Sequence, residues 1–206
     1  PSDIKNGGKT SFIKAGLVWD TRDNKPNPMH GQWTECFAIV APGFTNGDYG
    51  YSQLVMIHRH YFSLVPNVLS LANRIGFQGR LSGSIPYYML PFTYNTLKTY
   101  DGFGGSKTVR GVIRNRIQGD GVAFGNIELR YKVLRTRIFN QNFYIALSGF
   151  LDGASVVQKH PIDYATAGIA QQKDKLHLSA GGGLHLVLND NFIVAIDYGR
   201  PLKKED

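Results

Sequence analysis

Residues 175–189, KLHLSAGGGLHLVLN, alternate along their whole length. Leu176, Leu178, Ala180, Gly182, Leu184, Leu186 and Leu188 share one face, and Lys175, His177, Ser179, Gly181, Gly183, His185 and Asn189 fall on the other. A period of two puts successive side chains on opposite sides of a strand. About fifteen residues of it make a strand far longer than a soluble domain ordinarily builds. The next stretch, NFIVAIDYGR, repeats the pattern, with Phe192, Val194, Ile196 and Tyr198 opposite Ile193, Ala195, Asp197 and Gly199.

Six earlier segments read the same way: 11–23, 32–44, 50–64, 67–82, 122–134 and 142–152. In FGNIELRYKV the apolar face is Ile127, Leu129, Tyr131 and Val133, and the opposite face is Asn126, Glu128, Arg130 and Lys132. A soluble sandwich would bury the apolar face. A membrane barrel would turn it to lipid and line a wet lumen with the charges. The connections separate the two. Short turns at 24–31, 65–67, 135–141 and 188–191 alternate with a modest loop at 45–50 and long ones at 83–121 and 153–174. Long loops at one end and short turns at the other mark an outer-membrane barrel, whereas a forty-residue connection is foreign to a compact soluble domain. The expected fold class is therefore all-β: an antiparallel transmembrane β-barrel, about eight strands of it in residues 1–206, with no second domain.

Composition agrees. Aromatics at 12% and 24 glycines favour strands and turns over a helical bundle. The net charge of +8 is scattered, without a dense basic run or a nucleic-acid module, so nucleic acid is not an expected partner. Cys36 is the only cysteine, which excludes an intrachain disulfide framework or a cysteine metal cluster. No apolar run is long enough for a membrane-spanning helix. The opening PSDIKNGGKT lacks Met, a charged n-region and an apolar h-region, and reads as an internal cut.

Chemistry-bearing motifs are few. GFGGSKT is not a phosphate loop, because Ser106 stands where glycine must precede the lysine and no strand–loop–helix context follows. No nucleophile elbow or zinc-protease helix is present, so no catalytic residue, cofactor or metal is expected. His58 and His60 share a strand face and could in principle hold a metal, but no third ligand accompanies them. The reading taken is a lumen-lining pair.

GGSKTVRGVIRNR, residues 104–116, is the unusual stretch. It closely resembles the conserved loop of the BamA/TamA superfamily of outer-membrane assembly and insertion factors, the bacterial surface antigen family. There a long extracellular loop folds into the lumen, with an arginine in a Val-Arg-Gly-aromatic motif at its tip; Val112 stands at the aromatic position here. Three further stretches match in family order. GLVWDTRDNKPNPMHGQW resembles the Asp-x-Arg-Asp strand and its turn, SGFLDGASV the Gly-x-x-Asp strand, and GGGLHLVLNDNFIVAIDYGRPL the penultimate hairpin.

The resemblance implies that residues 1–206 form the C-terminal half of a sixteen-stranded barrel, aligned with strands eight to fifteen, with the closing strand expected after KKED. It implies an inward-folded loop at about 83–121 anchored through Val109, Arg110 and Gly111, with Glu128 and Asp152 as acidic lumen partners. Alternation independently puts both acids on the polar face of their strands. It implies a strand-turn motif at Asp20, Arg22, Asp23 and Gly31, which could otherwise be plain strand-end charges. The implied role is to assist insertion, assembly or translocation of other outer-membrane proteins in a bacterial or organellar outer membrane. Partners would be outer-membrane lipid, unfolded outer-membrane clients and accessory assembly lipoproteins. Two alternatives are a barrel module that anchors or exports a fused patatin-like effector, and a small closed eight-stranded barrel with a structural or binding role.

Overall fold

The computed structural model describes residues 8–46, 49–161 and 175–203. Most of the loop expected at 153–174 lies outside the described residues, as do the first seven and last three positions. Eight long strands carry the fold: β1 Ile13–Asp20, β2 Gly31–Ala41, β3 Tyr51–Val65, β4 Leu69–Gly83, β7 Gly121–Ile138, β8 Gln141–Gln158, β9 His177–Leu188 and β10 Phe192–Pro201. Two short strands, β5 Phe92–Tyr94 and β6 Thr99–Asp101, form a separate hairpin within the segment linking β4 to β7.

The sheet is an antiparallel meander in the order β1-β2-β3-β4-β7-β8-β9-β10, and the expected all-β class holds. Strands β1 and β10 are its two edges and do not pair with each other, so these strands do not close on themselves as the small-barrel alternative required. The turns are tight where the sequence is rich in Asn and Asp. Phe139 and Asn140, then Asn189 and Asp190, all take positive φ, which matches the right-handed twist of the flanking strands.

Strand boundaries shift by a few residues throughout, and two differ most from the sequence reading. Strand β7 runs on to Ile138 and the turn shrinks to residues 139–140, because a register shift between Lys132 and Leu134 breaks the alternation on which the reading relied. Strand β8 continues through Gly153 to Gln158, a glycine that looked like the start of a loop. The segment after Gly83 is also less irregular than expected, holding a 3-10 turn at Tyr87–Met89 besides the hairpin.

This segment, residues 84–120, folds back over one face of the sheet. Its Ile85, Leu90, Tyr94, Phe103, Val109, Val112 and Ile117 are buried in one cluster with Phe37, Ile39, Val55, Ile57, Val122 and Phe124 of the strands. The covered face is the inner one. On the opposite face Leu17, Trp19, Ile75, Ile127, Leu151, Ile196 and Tyr198 stay exposed. Large apolar groups facing outward along every strand, with charges inside, are the pattern of a lipid-facing wall. At the turn end, Asn27 of the β1–β2 turn reaches across to the Tyr144 hydroxyl and, at 3.0 Å, to the Asp190 carboxylate.

Candidate functional site

The loop tip is built from its own backbone first. Gly104 and Gly105 take positive φ, and the Gly105 N–H donates to the Val112 carbonyl at 2.8 Å. The Thr108 hydroxyl closes the turn, accepting from the Gly104 N–H at 2.9 Å and donating to the Gly104 carbonyl at 3.0 Å. With the tip so held, Val109 and Val112 drop into the core. Arg110 projects along the inner face of β7, β8 and β10.

Its guanidinium meets three carboxylates. Nε and Nη2 form a fork on Asp152, at 2.8 and 3.0 Å. Nη1 donates to Glu128 at 2.6 Å and to Asp197 at 3.2 Å. The Arg110 backbone N–H also donates to Asp152, at 3.0 Å. Beneath the plane lies the Phe150 ring, 3.5 Å from the guanidinium carbon, a cation–π stack. Burial opposes the charge on Arg110, but the hydrogen bonds to Asp152 and the field of Glu128 and Asp152 outweigh it and raise its pKa. Two of the acids have further support: Glu128 also accepts from Arg130 at 2.7 Å, and Asp197 lies 3.2 Å from His185. Asp152, its side chain fully shielded from solvent, has Arg110 as its one ion-pair partner among the described residues.

The tip touches β10 through backbone. Gly111 has a φ of +88°, and a Cβ there would stand 2.6 Å from the Gly199 carbonyl carbon. Glycines 181 and 183 of β9 make the remaining room. A Cβ on Gly181 would sit 2.6 Å from the Phe150 ring, and one on Gly183 only 2.0 Å from an Asp197 carboxylate oxygen.

The strand-turn motif forms a second cluster. Arg22 forks onto Asp20, Nε to Oδ1 and Nη2 to Oδ2, both at 2.8 Å. Asp23 folds the turn by accepting from the backbone N–H groups of Asn24, Met29 and His30 at 2.8 to 3.3 Å. Gly31, at a φ of +97°, lets the chain re-enter β2 where a Cβ would strike the Thr21 carbonyl. Arg22 and Arg59 flank the Trp33 ring at 4.2 and 4.3 Å, and Arg59 pairs with buried Glu35 at 2.5 Å. The other Glu35 oxygen accepts from the Thr96 N–H of the inward segment at 2.6 Å. Lys14 adds a further tether, donating to the Asn95 and Thr96 carbonyls at 2.9 and 3.0 Å.

Sequence reasoning missed Glu35, Lys14, Phe150, Asp197 and Gly199. For Asp197 the signal was present, since it is the acid on the polar face of β10. The histidine pair requires a correction. The inner face of β3 takes the odd positions Val55, Ile57 and Arg59, so His58 and His60 face outward rather than into the lumen. His58 pairs with Thr34 at 2.8 Å, and His60 stacks on Phe62. Among the described residues no third ligand joins them.

Comparisons with known proteins fit this architecture. No curated protein sequence matches the chain. Among solved structures it is similar to the crystal structure of BamA from Haemophilus ducreyi lacking POTRA domains 1–3, with a TM-score of 0.68 at 16% sequence identity. That match covers 94% of this chain and 39% of the BamA chain, so the chain spans well under half of the structure it resembles. The family model for the Omp85 superfamily domain matches residues 4–206, and the chain belongs to the Omp85 superfamily.

Proposed function

We propose that this chain supplies the C-terminal half of a sixteen-stranded outer-membrane barrel that assists insertion, assembly or translocation of other outer-membrane proteins. Its partners are outer-membrane lipid, unfolded outer-membrane clients and accessory assembly lipoproteins. The observation that carries the reading is Arg110. One side chain, on a segment folded over the inner face, meets carboxylates from β7, β8 and β10. A contact of this kind fixes barrel shape, and no enzymatic step is required of it.

The physical logic is structural. An unpaired buried guanidinium is very costly, so the tip stays where its acids are. A rigid inner face leaves the sheet free to yield at a seam, where an unpaired strand edge can template an incoming client strand. The apolar outer wall keeps the sheet in lipid while this happens.

The test is reconstitution of the full-length protein into liposomes with a denatured outer-membrane client. Faster client folding than in empty liposomes, reduced by Arg110→Ala, is expected, together with fractionation in the outer membrane. Client folding no faster than in empty liposomes would overturn the assembly reading.

A further inference from the structure

We infer that the inner face carries a binding site for a small soluble oxyanion of the phosphate class, in the cavity beneath the loop tip. The cavity is about 220 Å³. Its walls bring together Arg59, Arg74, Lys107, Arg110 and Arg130, against the single carboxylate of Glu128. That imbalance is what needs explaining.

Three of the five cations are accounted for. Arg59 pairs with Glu35, Arg130 with Glu128, and Arg110 with Asp152, Glu128 and Asp197. Arg74 and Lys107 form no ion pair with any carboxylate among the described residues. Arg74 is instead held by neutral acceptors: Nε donates to Asn126 at 2.7 Å, and Nη2 to the Lys107 and Thr108 carbonyls at 2.9 and 3.2 Å. The Asn126 amide in turn donates to the Thr108 carbonyl at 2.7 Å, so the arginine is oriented from both sides. Its Nη1 group has no protein acceptor among the described residues. The guanidinium is fixed and partly buried; Arg59 and Arg110 repel it, and Asp152, which attracts it, forms no ion pair with it and is already forked by Arg110.

Like charges at this density in a partly desolvated space are unfavourable unless an anion joins them. Arginine N–H pairs on a planar fork, with Lys107 on the same cavity wall, match the tetrahedral oxygens of phosphate. The cavity has room for such an ion and several waters, each of which takes about 30 Å³ in the liquid. The sheet separates it from the lipid-facing wall, which selects a soluble anion over a lipid headgroup. Bound there, the anion would bridge β4 and β7 to the loop tip through Arg74, Arg130 and Lys107.

The test uses purified full-length protein in detergent, titrated with inorganic phosphate at constant ionic strength and followed by calorimetry and 31P NMR. Saturable binding is expected, weakened about tenfold by Arg74→Gln, as loss of one charge-assisted contact implies. Lys107→Gln, on the exposed side of the tip, should weaken it several-fold, and Arg137→Gln, near the β7–β8 turn, should leave it unchanged. Should Arg74→Gln fail to give a folded, heat-modifiable band, Lys107→Gln decides. Absence of saturable binding would overturn the proposal. So would binding that Arg137→Gln weakens as much as the cavity variants do, which denotes an adventitious ion only. The readout is independent of client folding, so this site and the proposed function fail separately.

Discussion

Replacing Arg110 by alanine tests the anchor most directly, and the structure sets the size of the effect. The side chain contacts three carboxylates, but removing it does not orphan all three. Glu128 keeps Arg130 at 2.7 Å and Asp197 keeps His185 at 3.2 Å. Of the three, Asp152 is the one left with no side-chain partner among the described residues, retaining one backbone N–H. Breaking a buried pair on one side costs about 3–5 kcal/mol, and the lost stack on Phe150 adds roughly 0.5–2 kcal/mol. Because Asp152 keeps a donor, the total should lie near 3–5 kcal/mol. At about 1.4 kcal/mol per tenfold, the opening equilibrium of the tip rises by roughly two to three and a half powers of ten. The assay is proteinase K cleavage within residues 104–116 of the folded protein, under conditions where cleavage tracks the open population. Arg110→Lys should recover only part, because an ammonium keeps the charge but cannot hold Asp152 by a fork. Asp152→Asn should resemble Arg110→Ala. The double variant should be less sensitive than Arg110→Ala alone, since removing both partners leaves no uncompensated charge. Cleavage of Arg110→Ala at the wild-type rate, or a double variant as sensitive as the sum of the singles, would refute the reasoning.

Gly111→Val should loosen the tip even with Arg110 intact, through about 1–3 kcal/mol of backbone strain and a clash with β10; the same cleavage assay reads it, and no change would mean that the tip does not rest on Gly199. Asp23→Ala should lower the temperature at which the heat-modifiable band unfolds, by the equivalent of about 1–2 kcal/mol, while Lys25→Ala leaves it unchanged. In a Cys36→Ser background, an impermeant thiol reagent on intact cells should label Phe44→Cys at the loop end and spare Gln141→Cys at the turn end; the reverse pattern inverts the proposed orientation.

Much of the fold could be read from alternation, because a strand with one wall in lipid and one in a charged lumen keeps its period over its full length. FGNIELRYKV shows this: Glu128 and Arg130 do face inward, and Ile127 and Leu129 do face out. The reading failed where alternation is locally interrupted. Past Lys132 the bulge brings Val133 and Leu134 together, and the polar RTRI that follows looks like a turn although it stays paired to β8. The site was legible in part. Strand parity put Glu128 and Asp152 on the polar face, but parity alone says nothing about which of two faces is inner. The histidines of β3 were misplaced for that reason, since a polar pair suggests a lumen. The neighbouring Ile57 and Arg59 settle it only once Glu35 is known to lie opposite them. Contacts such as Lys14 with Asn95, eighty-one positions apart, leave no local trace at all.

The glycines of β9 connect the fold to the site. A run of three in a strand weakens it, since each loses more backbone entropy on ordering and offers no side chain to pack. Two of the three lie on the inner face, and each leaves room for a group that serves Arg110. At Gly181 the space is filled by the Phe150 ring under the guanidinium, and at Gly183 by the Asp197 carboxylate beside it. Gly199 does the same for the peptide between Arg110 and Gly111. Any side chain at these positions would lift the tip away from Asp152, whose fork with Arg110 is only 2.8 to 3.0 Å long. The sheet gives up strand packing along β9 and β10 so that the loop backbone can lie directly on it, and the fork on Asp152 then holds the loop there.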